Sequence, residues 1–286
     1  MGVFFKIEMS VKIKIVGGRN MELSQFESYL NIDSSRYDNN DKASLDYFME
    51  RYMMTVPFEN INVQNQVPIS VNTDDLLDKV INQHRGGFCY EMNHLFGTYL
   101  EKKGFAVHRA SGTVHTPDGG VALEGSHMSL YTILNDTYYV TDVGFGDLPL
   151  HAIPISHPSQ PVSISDINGE FRAIFYKEDC YHVQKLKNNK WTTLYHAYLE
   201  PQSIQDFSDK IIYNESNPNS IFVKQLLITQ PQSFGRATMT HQSLTLTSQS
   251  SKEKCEVSSH NYKYFLKKYF NLNILRNSGI FPNLPT

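Results

Sequence analysis

Apolar residues along this chain keep one period up to Gly104 and another after it. Before that glycine, Leu45, Phe48, Met49, Tyr52 and Met53 fall at i, i+3, i+4, i+7 and i+8, an apolar stripe along a helix that Pro57 ends. Thr73-Asp74-Asp75 starts a second helix, its acids near the positive end of the dipole and its apolar face made by Leu76, Leu77, Val80 and Ile81. A third begins at Cys89, carries Leu95, Phe96, Tyr99 and Leu100, and closes on Lys102-Lys103 with Gly104 as the C′ residue. Beyond Gly104 the period shortens to two, giving strands at 105–115, 127–134, 138–142, 171–177, 181–187 and 190–196. Pro117-Asp118-Gly119-Gly120, Asn135-Asp136 and Asn188-Asn189 mark hairpin turns between them. Short strands at this spacing suit a small barrel or a sandwich. A helical stretch at 204–213, strands at 222–229 and 235–246, and a final helix carrying Tyr262, Phe265, Leu266, Tyr269 and Phe270 complete the pattern. The expected class is α+β, with an N-terminal extension (1–20), a helical part (21–104), a β-domain (105–200) and an interdomain helix with an α/β part (201–286).

Composition removes several classes of function. The 26 Lys and Arg against 29 Asp and Glu give a net charge of −3 with no block of like charges, which argues against a nucleic-acid partner. No apolar run approaches the roughly 18 residues of a membrane-spanning helix, so no membrane is expected. Cys89, Cys180 and Cys255 are odd in number and lack a CxxC spacing, which fits neither a disulfide framework nor a metal site and points to a reducing, cytoplasmic setting. Residues 1–20 begin like a weak export signal, but Lys6, Glu8, Lys12 and Lys14 interrupt it. The alternation Val11-Lys12-Ile13-Lys14-Ile15 reads as a strand, broken by Gly17-Gly18, so this segment is an appendage.

The segment Arg85-Gly86-Gly87-Phe88-Cys89-Tyr90-Glu91-Met92-Asn93 carries the chemistry. Two glycines allow a sharp, closely packed turn, and the cysteine lands in the first turn of the helix that follows. Free backbone N–H groups and the dipole favour a thiolate there, the form a cysteine nucleophile needs. Taken alone, such a cysteine also suits a buried small residue. Downstream, His127 opens an apolar strand and Asp142 closes the next. If the strands pair about Asn135-Asp136, both residues meet at the open end of the hairpin, completing a nucleophile, a base and a group that orients the base. A satisfied core histidine and a mere strand-end aspartate are the blander readings. Arg85 and Glu59, charged residues inside segments of Gly, Phe and Pro, are expected to pair.

RGGFCYEMN, together with Val56-Pro57-Phe58-Glu59-Asn60, SHMSL at 126–130, VTDVGFG at 140–146 and Asn217-Pro218-Asn219-Ser220-Ile221-Phe222, resembles the arylamine N-acetyltransferase family, over essentially Met21 to the end. The resemblance implies an N-terminal helical bundle, a central β-barrel and a C-terminal α/β lid around a cysteine-protease or transglutaminase-like catalytic core. It implies Cys89 as nucleophile, His127 as base and Asp142 as third triad member. Phe58 and Phe145 are implied beside the acceptor ring, Val114 near the acyl pocket, and Ser126, Gly144 and Gly146 near coenzyme A. The implied reaction moves the acetyl group of acetyl-CoA through acetyl-cysteine to an arylamine, arylhydrazine or arylhydroxylamine, without metal, in the metabolism of xenobiotics. Departures are Tyr29-Leu30-Asn31-Ile32, which lacks a usual arginine, Tyr52 where a histidine is common, and Met92 where leucine is common. They bear on helix packing and acceptor preference.

Four rival readings stand beside this one. A papain-like protease would place its histidine about 130 or more residues after the cysteine, and here the separation is 38 (127 minus 89). A transglutaminase-like thiol enzyme, or an amide synthase using another acyl donor, shares the order Cys, His, Asp. A non-catalytic binding module would carry the triad by accident. Cys180 and Cys255 read as structural or incidental, and His94 as packed or solvated.

Overall fold

The computed structural model of the chain describes residues 23–273. The extension expected at 1–20 lies outside the described residues. Helices come first: α1 (Leu23–Leu30), then α2 (Lys42–Thr55), whose N-cap Asp41 accepts a hydrogen bond from the Ser44 N–H at 2.8 Å. The stripe read from the sequence faces inward, with Leu45, Phe48, Met49, Tyr52 and Met53 all buried. A two-residue strand β1 (Phe58–Glu59) and a turn of helix α3 (Ile61–Gln64) follow. Next comes α4 (Thr73–Leu77), capped by the Asn72 side chain and running into a π turn at Asp78–Asn82. The longer α5 (Cys89–Lys102) lies buried along most of its length.

The strands close into a barrel. β2 (Ala106–Val114), β3 (His127–Leu134), β4 (Thr137–Val140), β5 (Ile153–Ser156), β6 (Ser163–Asp166), β7 (Gly169–Phe175), β8 (Cys180–Lys187) and β9 (Lys190–Tyr198) form one sheet in the order β5-β4-β3-β2-β9-β8-β7-β6. A parallel pairing of β5 with β7, Ile155 opposite Ala173, joins the ends into a seven-stranded barrel, with β6 paired on β7 outside the closure. Closure resolves the choice between barrel and sandwich and removes most edge strands. The two Asn-containing hairpins have both turn residues at positive φ: Asn135 at 48° and Asp136 at 59°, Asn188 at 50° and Asn189 at 60°. This is the type I′ geometry that matches strand twist.

The remainder follows a short 3₁₀ turn (Ile204–Phe207) with α6 (Ser208–Ser216), α7 (Ile221–Lys224), β10 (Ile228–Gln232), β11 (Gly235–Met239), β12 (Ser243–Thr247), β13 (Lys252–Glu256) and α8 (Tyr262–Phe270). The strand expected at 222–229 is a helical turn before a strand. Ser220 caps the turn by accepting from the Phe222 N–H at 3.2 Å, and Asn60 binds the Phe222 and Gln225 carbonyls at 2.8 Å each. The single strand expected at 235–246 is two strands turning at 240–242. β1 joins the sheet order β1-β10-β11-β12-β13, so Phe58 and Glu59 pair with Thr229 and Ile228. Among the described residues no helix is long and apolar enough to cross a membrane.

Candidate active site

Three backbone segments converge where α5 begins. Gly86 passes so close to β1 that a Cβ would sit 1.7 Å from the Pro57 carbonyl oxygen, which only glycine tolerates. The approach is locked by charge: Arg85 Nη2 lies 2.8 Å and its Nε 2.9 Å from Glu59 Oε1, the pair expected from the sequence. Lys79 extends the chain of charges, 3.9 Å from Glu59 and 2.6 Å from Glu91 Oε1. The other Glu91 oxygen reaches back to the Phe88 N–H at 3.2 Å, capping α5 as it starts. Burial pushes the Glu91 carboxyl up against the pull of Lys79, whereas Arg85 and Lys79 overcome burial at Glu59 and hold it down. Cys89 is thereby fixed as the first residue of α5, where its N–H has no intrahelical acceptor.

His127 and Asp142 meet as the hairpin argument required, with one correction of position. β4 ends at Val140, so Asp142 lies two residues beyond the strand expected to contain it. Thr141 still donates to the Leu130 carbonyl at 2.9 Å, which carries the register on until Asp142 stands diagonally across from His127. His127 Nε2 and Asp142 Oδ2 are 2.6 Å apart, and Cys89 acts on the same imidazole, favouring its protonated form. All three residues are buried. Burial opposes charge on His127, but the Asp142 carboxylate and Cys89 outweigh it and raise its pKa to about 10. Burial likewise opposes the Asp142 charge, and His127, Asn93 and the Gly144 N–H together hold it below the usual carboxylate range.

Two supporting side chains were not assigned roles from the sequence. Asn93, one helical turn after Cys89, donates to Asp142 Oδ1 at 2.8 Å and to the Met128 carbonyl at 2.6 Å, and accepts from the Val143 N–H at 2.9 Å. Its position four residues after Cys89, on the same helix face, was the available signal. Tyr195 lies edge-on to the His127 ring at 4.9 Å between centroids and shares a 2.9 Å hydrogen bond with Ser129; only tertiary structure brings it there from β9.

The remaining candidates fall around this centre. Phe145 lies edge-on to His127 at 5.3 Å and contacts Tyr195 at 5.2 Å. Gly144 backs onto the nucleophile, since a Cβ there would be 2.9 Å from the Cys89 Cα. Gly146, at φ 92°, packs beside Phe58, which itself contacts Phe222 at 6.1 Å. Val114 ends β2 opposite Tyr195. Ser126 is half-buried, and its carbonyl accepts from Tyr90 at 2.6 Å and Asn214 at 3.3 Å. Cys180 is buried and Cys255 exposed, both unpaired, and His94 is packed, accepting from Arg109 at 3.1 Å.

A helix-borne thiol, an imidazole and a carboxylate beside a closed barrel define a thiol enzyme of the acyl-transfer type. The chain belongs to the N-acetyltransferase family, whose family model matches residues 41–278. It is 25% identical over 225 residues to arylamine N-acetyltransferase 2 of Mesocricetus auratus, covering 72% of this chain and 76% of that protein. It is 27% identical over 203 residues to arylamine N-acetyltransferase 1 of Homo sapiens, covering 65% and 69%. A solved arylamine N-acetyltransferase of Bacillus cereus, described as having a unique Cys-His-Glu catalytic triad, is 27% identical with a TM-score of 0.78 over 88% of this chain and 98% of that one. The corresponding enzyme of Mycobacterium abscessus shares the fold at a TM-score of 0.83, with 18% identity. In this chain the carboxylate on His127 belongs to an aspartate.

Proposed function

We propose that this enzyme acetylates aromatic amines, hydrazines and hydroxylamines by a two-step exchange at Cys89, with acetyl-CoA as donor substrate. The Cys89 sulfur, its proton already held on His127, attacks the thioester carbonyl. Coenzyme A leaves, taking the proton from His127, and acetyl-Cys89 remains. An amine nitrogen then attacks the acetyl carbon, His127 accepts the proton that the nitrogen loses, and the Cys89 sulfur leaves as thiolate. Asp142 stabilises the imidazolium formed in each half and fixes which ring nitrogen faces sulfur. The Cys89 N–H is positioned as a donor to the developing oxyanion, an effect worth about 3 kcal/mol in other acyl-transfer enzymes. Phe58, Val114 and Phe145 line the acceptor side in this reading, and Ser126, Gly144 and Gly146 the donor side. The setting is cytoplasmic, as the unpaired cysteines suggest.

The observation that carries this reading is the single imidazole held between a helix-start thiol and a buried carboxylate. An acceptor panel with acetyl-CoA tests it. Free coenzyme A thiol is expected to rise one for one with acetylated amine, and reciprocal plots at several amine concentrations are expected to be parallel. Intersecting plots would show that both substrates must bind before any bond breaks, against an acetyl-enzyme.

A further inference from the structure

Away from the active site, the barrel gathers three histidines on one patch of its outer face. Adjacent strands β2, β9 and β8 place them: His196 pairs in register with Thr113 on one side and with His182 on the other. Tyr181 and Tyr195, their chain neighbours, are fully buried in the barrel, so strand alternation sends His182 and His196 outward, and His115, two residues beyond Thr113, shares that face. All three rings are half-buried. His115 Nε2 and His196 Nδ1 lie 2.9 Å apart. The ring centres are separated by 5.2 Å (His115 to His196), 5.9 Å (His115 to His182) and 5.9 Å (His182 to His196). Tyr176 stacks on His182 at 4.5 Å and Tyr198 stands edge-on to His196 at 6.0 Å, which walls the patch with aromatic rings. The acetyl-transfer chemistry uses none of these residues.

The three separations close a nearly equilateral triangle whose centre stands about 3.3 Å from each ring, so a nitrogen turned inward comes about 2.1 Å from that centre, the length of a zinc–imidazole bond. As the rings stand, their donor atoms do not converge: among the described residues no group of three His, Cys, Asp or Glu is arranged to hold a metal ion, and here His115 and His196 face each other. Convergence needs only rotation about χ2, which is a broad torsion in histidine and moves no backbone. We propose that His115, His182 and His196 form a binding site for a divalent transition cation of the zinc type. Imidazole nitrogens suit zinc, copper and nickel, whereas magnesium and calcium take oxygen ligands. Glu124, close enough to act on the charge of His196 and Tyr198, offers a carboxylate as fourth ligand. The site also touches the connection from β2 to β3. His115 bridges to Val121, the Ala122 N–H donates to the Val114 carbonyl at 2.8 Å and the Gly125 N–H to Thr113 Oγ1 at 3.0 Å, which lays this connection over the histidine-bearing strands. A cation shared by His115, Glu124 and the two neighbouring strands stiffens the segment that ends at Ser126, next to His127.

The test uses the full chain carrying Cys89→Ala, with the exposed Cys255 alkylated, so that neither thiol competes for the metal. Calorimetric titration with zinc chloride at neutral pH is expected to show one equivalent bound in the micromolar range or tighter, and magnesium chloride is expected not to displace it. His182→Gln leaves the hydrogen bond between His115 and His196 in place and is expected to weaken zinc binding by about tenfold or more, at least the scale of losing a group that merely supports a ligand. His115→Gln/His196→Gln is expected to abolish it. Zinc is expected to raise the melting temperature and to slow proteolysis within 116–126, and to do neither in the double variant. Cobalt(II) gives a readout that needs no histidine variant: the visible absorption of a four-coordinate site with nitrogen ligands is expected on the Cys89→Ala chain. Absence of saturable zinc binding in the micromolar range would overturn the inference. So would binding that survives unchanged in both histidine variants, which would mean an adventitious ion only, held elsewhere on the surface. No arm of this experiment reads acetyl transfer, so its outcome is independent of the proposed function.

Discussion

Asp142 can orient His127 because its own position is settled by other groups. One carboxylate oxygen faces the imidazole, and the other accepts from Asn93 at 2.8 Å and the Gly144 N–H at 2.9 Å. Asp142→Asn keeps the shape but offers an amide that favours the wrong tautomer, a change costing about 10⁴-fold in the serine protease triad. A large loss in the rate of Cys89 acetylation is expected, read by rapid-quench mass spectrometry, with circular dichroism confirming the fold. Asn93→Ala removes the brace and leaves the triad atoms present, so a smaller loss of about 10²-fold is expected, the scale of a 1 Å misplacement. Wild-type rates in a folded Asp142→Asn would reduce the unit to a Cys–His pair. The same pair sets a pH dependence. The His127 pKa is raised from 6.5 to about 10 in the fold, so its stabilising contribution is complete below about 6.5 and is lost as pH rises through about 10. Asp142 is lowered from 3.8, so its contribution is present above that value and is lost on acidification through its lower folded value. The gap in melting temperature between wild type and Asp142→Asn is therefore expected to shrink steadily from pH 6.5 to 10. A gap that holds constant across that range would mean a neutral His127 in the native protein.

At the scale of elements, the start of α5 depends on the charged chain Arg85–Glu59–Lys79–Glu91, which ties β1, the π turn and the helix together. Breaking a buried pair by removing one partner costs about 3–5 kcal/mol. Arg85→Ala is expected to lower stability by that order in urea titration and to slow acetylation as well; an unchanged midpoint would show that the pair has no structural role. The meeting of His127 and Asp142 was legible in the sequence because a two-residue Asn-Asp turn fixes the register of β3 on β4, and register then determines what stands near His127. Helices α2 and α5 were legible from their periodicity for a similar reason: each buries one face. Contacts distant in sequence decided the rest. Nothing local in 221–224 announces a helix, because Asn60 and Gln64 supply acceptor and donor groups from across the molecule. β5 and β6 lie among Pro154, Pro158 and Pro161 and read as loop, although Ile153 pairs with Val140 and Ser163 with Arg172. β1 is two residues long, too short for any period, and only its partner Ile228–Gln232 makes it a strand.

Across the whole molecule, the helical part and the C-terminal sheet are joined beside the site. Phe58 and Glu59 form one edge of the C-terminal sheet, and Asn60 immediately after them makes three hydrogen bonds to that part: to the Phe222 and Gln225 carbonyls at 2.8 Å and from the Leu227 N–H at 2.7 Å. Arg236 returns the connection by holding the carbonyls of the loop that follows Phe145. Asn60→Ala would strand those backbone groups at about 1–3 kcal/mol for each one left unsatisfied. Earlier proteolysis at 217–227 than in wild type is expected, together with a weaker acceptor KM; an unchanged digestion pattern would show that the edge strand alone holds the sheet. The central claim is that acetyl transfer passes through a covalent bond to Cys89, and intact mass spectrometry after brief exposure to acetyl-CoA without acceptor tests it most directly. The wild type is expected to gain one acetyl group, mapped to Cys89, and to lose it when an aromatic amine is added, while Cys89→Ala gains none. A wild-type mass unchanged throughout a rapid-quench series, or an acetyl group mapped to a different residue, would contradict it.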